Sequence, residues 1–210
     1  FFVDDGEGGS VVMRDPGCPA DSIAGQTCLY DYGPWNLLNP ESERVGMLLL
    51  GHNGLGAGVE VFTELAVQHN TSLAQGAPTP LDETAGLTLT NHPDDPFPVV
   101  DAVGISRFRT VDAGPRRWHI ETDNLRAVLG LRGEDNEWNW EVAAQRARSE
   151  STQRGGRSDG WIRTDFLQPL LTSGEYNPFG GTINPQDVID QITTSVVRQG
   201  ESNLTMFDAE

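Results

Sequence analysis

The chain has 210 residues, of which 37% are hydrophobic, with 24 glycines and 13 prolines; its net charge is −17, and all 14 of its cationic side chains are arginine. An acidic chain without basic clusters repels phosphate backbones, so no nucleic-acid partner is expected. No apolar run approaches the roughly 20 residues of a spanning helix, the nearest being Val45 to Leu50; a membrane β-strand needs only about 9–11 residues of alternating character.

The sequence opens at Phe1, without an initiator Met or the residue order of a signal peptide, and closes at Phe207-Asp208-Ala209-Glu210 inside a strand-like run. It reads as a fragment. Residues 1–42 read as a long loop, with seven acids, one base (Arg14) and turn formers such as Asp15-Pro16-Gly17 and Tyr32-Gly33-Pro34. Cys18 and Cys28 lie ten positions apart in this stretch with no His beside them. Zinc would lack two ligands there. A local disulfide and an oxidising compartment are expected, a pair of reduced small hydrophobes being the other reading. Asp4-Asp5-Gly6-Glu7-Gly8 has the composition of a calcium loop without the register of an EF-hand, and reads as a solvated acidic loop.

Residues 43–153 read as antiparallel strands. Arg44 to His52 places Val45, Met47 and Leu49 on one face, and His52-Asn53-Gly54-Leu55-Gly56 supplies a turn. In Val59 to Asn70, Val59, Val61, Thr63, Leu65 and Val67 share one face. Glu60, Glu64, Gln68 and Asn70 share the other, with Phe62 and Ala66 among them. Residues 72–98 break the pattern with five prolines; Gly104 to Val111 and Arg116 to Thr122 then flank Asp112-Ala113-Gly114-Pro115 as a second hairpin. Leu125, Ala127, Leu129 and Leu131 oppose Arg126, Gly130 and Arg132. After a turn at Gly133-Glu134-Asp135-Asn136, Trp138, Trp140, Val142 and Ala144 oppose Asn139, Glu141 and Gln145. Residues 154–200 change character. Thr164 to Thr172 reads as a short helix ended by Gly174. Asn184-Pro185-Gln186-Asp187 opens another, with Val188, Ile189, Ile192 and Val196 as its apolar stripe and Gly200 as its stop. Residues 201–210 return to alternation as the start of a further strand.

A β-sandwich also has an apolar face, so alternation alone does not choose between it and a barrel. Loop lengths do. Outer-membrane barrels alternate short periplasmic turns with long external loops. That parity holds when 1–42, 72–123 and 154–200 are external and the turns at 52–56 and 133–137 are periplasmic. Four spanning strands and the beginning of a fifth result. Trp138 and Trp140 then sit where an aromatic girdle belongs, or are ordinary core tryptophans of a sandwich. Glu60, Glu64, Arg126, Arg132 and Glu141 would face a wet lumen; in a closed apolar core each would cost several kcal/mol unless paired. The fold class expected is mainly β, the partial antiparallel sheet of a transmembrane β-barrel with short helices in one long loop.

From about Cys18 to Asp208 the chain resembles bacterial TonB-dependent outer-membrane receptors. The resemblance rests on Cys28-Leu29-Tyr30-Asp31, Asn39-Pro40, Glu43-Arg44, Arg107 and Arg109, Gly114-Pro115-Arg116, and the run Arg126 to Gly133. It rests also on Trp138-Asn139-Trp140-Glu141 and Tyr176-Asn177-Pro178-Phe179-Gly180. It implies a middle section of a plugged barrel of about 22 strands that imports a scarce nutrient across the outer membrane: a siderophore, cobalamin, oligosaccharide or peptide. The implied partners are outer-membrane lipid, the rest of the parent barrel and its plug, and the TonB complex through the parent protein. A plug, a TonB box and a terminal aromatic strand are missing from these 210 residues. The other reading is a soluble extracellular β-sandwich, a binding or structural module.

No catalytic constellation is present: no G-x-S-x-G, no phosphate loop and no H-E-x-x-H. No enzyme activity, cofactor or metal is expected; His52, His69, His92 and His119 share no ligand spacing. Asn70-Thr71-Ser72 and Asn203-Leu204-Thr205 match glycosylation sequons but carry little meaning in a bacterial outer membrane. Tyr176, Asn177 and Phe179 are candidate ligand contacts at a barrel mouth, because aromatic loop residues stack on sugars and flat chelates. The same loop also reads as a structural turn fixed by Pro178 and Gly180.

Overall fold

The computed structural model describes residues 1–89, 91–97, 102–135 and 138–210. The chain is mainly β, with antiparallel sheets and two short helices. Five long strands dominate: β1 (Ser42–Gly56), β2 (Val59–Gly76), β3 (Arg116–Asp135), β4 (Trp138–Gly155) and β5 (Val196–Ala209). The helices are α1 (Thr164–Ser173) and α2 (Gln186–Ile192). The long strands form one sheet in the order β5-β4-β3-β2-β1, open at β5 and β1. Each strand therefore lies beside its neighbours in sequence, the meander of an up-and-down sheet. No closed barrel forms among the described residues.

The chain divides into two compact units. A loop unit gathers Phe1–Leu38, Gln75–Trp118 and Gly155–Val196; a sheet unit gathers Asn39–Ala74, His119–Arg154 and Val197–Glu210. The hydrophobic core belongs to the loop unit. Val3, Leu89, Ile105, Leu167, Leu171 and Ile192 are fully buried there. Phe2–Asp4 is the centre of a three-stranded sheet, between Ser10–Val12 and Ala102–Gly104. Pro80–Leu81 pairs with Phe108–Arg109. In α1, Leu167, Leu170 and Leu171 share the face turned to this core, and Gly174 ends the helix in the left-handed conformation at φ 77°. α2 buries Val188, Ile189 and Ile192 and stops at Thr193, whose ψ of 147° is extended.

Several sequence expectations change. β1 runs through the proposed turn as far as Gly56, and the reversal falls on Ala57-Gly58, with φ 51° and 75°. Two consecutive positive φ values make the type I′ geometry that matches strand twist. The second hairpin of 104–122 does not exist: Phe108–Arg109 pairs with Pro80–Leu81, and Arg116–Thr122 is the first part of β3. The excursion narrows from 72–123 to 77–115, because β2 and β3 extend their ladder at one end. β3 continues through 133–135; positions 136 and 137 of the expected turn lie outside the described residues. Val196 and Gly200 belong to β5 and not to the helix, so the fifth strand starts five residues earlier than 201. The long loop 1–42 holds short strands and 3-10 turns.

Candidate membrane-facing sheet

Register decides what each face of the sheet unit carries. β1 and β2 pair Val45 with His69, Met47 with Val67 and Leu49 with Leu65. β3 and β4 pair Leu125 with Arg148, Leu129 with Ala144, Leu131 with Val142 and Gly133 with Trp140. Side chains directly opposite in an antiparallel ladder share a face. Val61, Leu65 and Val67 thus join Met47 and Leu49, and Leu125, Leu129 and Leu131 join Val142 and Trp140. Along β2 and β3 the apolar stretch spans about nine residues, or roughly 30 Å at 3.4 Å each. Tilted strands carry such a band across a bilayer core.

The opposite face carries the charges, and they pair across strands. Arg132 Nε donates to Glu60 Oε1 at 3.0 Å, and Arg126 Nη1 to Glu64 Oε2 at 2.8 Å. Arg126 Nε also donates to Gln145 Oε1 at 3.1 Å, reaching β4. His52 Nδ1 lies 3.7 Å from Glu60. Phe62 lies among these groups, with the Arg132 guanidinium 5.5 Å from its ring centroid. Glu141 and Glu210 exchange backbone hydrogen bonds of 3.1 and 2.9 Å, fixing β5 beside β4.

Exposure runs opposite to polarity. Along β4 the apolar-face positions from Val142 to Glu150 are exposed, while the polar-face positions from Glu141 to Ser149 are half-buried. On β3 Leu129 is 60% exposed, whereas Val128 on the charged face is 7% exposed. Trp138 and Phe207 are about four-fifths exposed, at 79% and 80%. A water-soluble sheet does the reverse, since each large apolar side chain left in water forgoes roughly 1.5–3 kcal/mol of burial. The strands are also long: β3 has 20 residues, against roughly 3–10 in soluble domains.

At one end of the apolar face lies a belt of polar groups. His69 Nδ1 is 2.7 Å from Asp123 Oδ1, and Arg148 bridges Glu150 and Glu201, its Nε 3.2 Å from the latter. Beside them is an open depression of about 540 Å³ with Met47, Val67 and Leu125 among its walls. The Ala57-Gly58 turn and the paired strand ends Asp135 and Trp138 lie at the far end of the sheet, and the strand ends Gly76, Arg116 and Gly155, from which the long connections leave, lie at this end.

The candidate ligand loop lies in the loop unit, and its aromatic residues face inward. Tyr176 is fully buried and Phe179 nearly so, packed on Phe1 and His92; Asn177 is half-buried. Tyr176 Oη donates to Asp112 Oδ1 at 3.0 Å, and Asn184 Nδ2 donates to Asp112 Oδ2 at 2.8 Å. Asn184 Oδ1 accepts from Asn177 N at 2.7 Å, and Asn177 Nδ2 donates to Asp94 at 3.0 Å. Burial first, and then the Asp112 carboxylate, push the Tyr176 phenol far above its ordinary range. Tyr176 and Phe179 thus pack into the loop unit, the placement expected of a structural turn, while Asn177 stays half-buried. Asn184 locks this loop instead of capping α2, whose cap position is Pro185.

Two constellations escaped the sequence. Arg109 is clamped by Tyr30 and Tyr32, 5.1 and 4.8 Å from their ring centroids, and donates to Tyr32 Oη and Pro78 O, both at 2.8 Å. Cys18 and Cys28 form a disulfide across ten positions, with Cα atoms 5.9 Å apart, and anchor the segment that carries both tyrosines. His92 is buried with both ring nitrogens bonded: Nδ1 accepts from Asp94 N, so Nε2 donates to Tyr176 O at 2.9 Å. Residues 77 or more positions apart in the chain meet here, and no periodicity signals such a meeting. Among the described residues no His, Cys, Asp or Glu group is arranged to hold a metal. No helix is long and apolar enough to cross a membrane. No family model, curated protein or solved structure matches the chain.

Proposed function

We propose that this chain is part of a TonB-dependent outer-membrane receptor, a non-enzymatic importer of a scarce nutrient, and that its sheet unit lies in the outer-membrane bilayer. One observation carries the reading: the apolar face of the sheet is its more exposed face. Lipid is the medium in which that arrangement is stable, because a hydrocarbon surround supplies the burial that water cannot. The paired arginines and carboxylates of the other face suit a wet lumen, where ionised groups keep their hydration. The meander, with short turns at one end and long connections at the other, fits strands that cross and recross a bilayer. The open edges β1 and β5 take the neighbouring strands of the parent barrel, which removes their unpaired backbone groups from lipid. The long connections form external loops that, with the parent's plug, meet the siderophore, cobalamin, oligosaccharide or peptide.

The test is quenching of tryptophan by phospholipids brominated along their acyl chains, with the intact protein in vesicles. Trp138 and Trp140 should be quenched, and the signal should fall sharply in the W138F/W140F variant. Absence of quenching, with the protein remaining in the aqueous phase of a detergent partition, overturns the reading.

A further inference from the structure

Arg107, Arg109, Arg116 and Arg117 crowd one short stretch of the loop unit, and among the described residues none of them is in an ion pair with a carboxylate. The sheet differs: Arg126, Arg132 and Arg148 each hold a glutamate. Asp112, the acid between positions 107 and 117, is already taken by the Tyr176 hydroxyl and the Asn184 amide. Positive charge is thus left standing in a chain whose net charge is −17.

Two of the four converge. Arg109 Nη1 donates to Pro78 O at 2.8 Å and Arg116 Nε to Ala77 O at 2.9 Å, so both heads reach the carbonyls of successive residues. Both arginines are half-buried. A carbonyl satisfies a donor without cancelling the charge, and burial and repulsion from Arg109 both work against the Arg116 cation. Both heads are also held in place. Tyr30 and Tyr32 clamp Arg109, and Arg116 lies 5.7 Å from the centroid of the Trp161 ring, which packs on Trp118 at 4.2 Å. A guanidinium carries five donors; Arg109 uses two of its five and Arg116 one.

We propose that Arg109 and Arg116 together seat a small oxyanion of two negative charges, a dicarboxylate or a phosphate. The planar forks match the oxygens of either group, and heads already fixed lose little freedom on binding. Charge complementarity selects the occupant: a dianion cancels both charges, and an uncharged molecule of the same shape cancels neither. The seat lies wholly within the loop unit, so the inference does not depend on what surrounds the sheet unit.

Isothermal titration calorimetry of the intact protein in a neutral detergent at low ionic strength reads the outcome, with succinate, inorganic phosphate and the uncharged succinamide as probes. Succinate or phosphate should bind and succinamide should not, and the tighter of the two anions tells a carboxylate seat from a phosphate seat. Arg116→Gln should weaken anion binding about tenfold, and Arg116→Lys should recover part of it. Arg146→Gln removes a cation of the sheet unit and should leave binding unchanged. Failure of both anions to bind, equal binding of succinamide, unchanged binding in Arg116→Gln or an equal loss in Arg146→Gln overturns the proposal. The comparison of succinate with succinamide needs no variant to fold, and the lipid quenching of the tryptophans is read separately, so either reading can fail without the other.

Discussion

Phe62 fills the space over Gly130: a Cβ at position 130 would sit 2.3 Å from the phenyl ring and 2.9 Å from the Val142 carbonyl oxygen. Arg132, two residues on along the same face, spreads over that ring and holds Glu60. Ring, gap and ion pair make one interlocked unit across β2, β3 and β4.

Gly130→Ala should therefore destabilise the sheet by about 1–3 kcal/mol, the range for overpacking a close-fitted site. Phe62→Ala in the same chain should recover the larger part, because the ring is the nearer obstacle. Urea unfolding followed by tryptophan fluorescence measures both, and additive losses in the double variant would show that the two residues do not share the space.

The ion pairs of the polar face should matter little to stability. Glu60→Gln should cost less than about 1 kcal/mol, since Arg132 is about half exposed and its charge stays hydrated after the partner is lost. A loss of several kcal/mol in the same unfolding assay would place this pair in a dry interior instead.

Gly17 and Gly180 approach closely: a Cβ on Gly17 would meet the Gly180 Cα at 2.4 Å, while Gly180 N donates to Asp15 Oδ2 at 2.8 Å. Backbone cannot rotate away as a side chain can. Gly17→Ala should raise amide exchange at 15–18 and 176–182 and leave the sheet unit unchanged. Hydrogen-exchange mass spectrometry resolves the two regions.

Tyr176 sets an alkaline limit on the loop unit. Its folded-state pKa is raised by burial and by Asp112, so the neutral phenol is the form the fold retains. That contribution is complete below the unfolded tyrosine value of about 10 and is lost as pH rises above it, because the unfolded chain ionises first. Absorbance at the phenolate band should show Tyr176 ionising only together with unfolding. Tyr176→Phe should remove that coupling while costing about 1 kcal/mol for the lost hydrogen bond.

Reduction of the Cys18–Cys28 bridge should release the Tyr30–Tyr32 clamp on Arg109. A loop this short contributes about 2–3 kcal/mol, and its loss should increase exchange from residues 28 to 35 and at 108–110. Unchanged exchange there after reduction and alkylation would mean that packing alone holds the clamp.

The sequence by itself determined which residues share a face of each long strand. Side-chain direction alternates with period two whatever the surroundings, so Val59, Val61, Leu65 and Val67, and likewise Leu125, Leu129 and Leu131, read correctly from spacing. The disulfide and α1 were legible for the same local reason: ten residues separate the cysteines, and Gly174 closes the helix. Tertiary structure decided the rest. It set where the strands end, because ladders lengthen wherever a neighbour offers backbone partners, as β2 and β3 do between Thr71 and Gly76 and from Arg116 onward. It also decided that Tyr176 and Phe179 turn inward, that Asn184 serves Asp112 and not a helix cap, and that Arg109 meets Tyr30 and Tyr32. These meetings join segments far apart in the chain, and long-range packing leaves no period in the sequence to read. The sheet's exposure follows the same division: the alternation is local, but only the folded sheet leaves its apolar side uncovered.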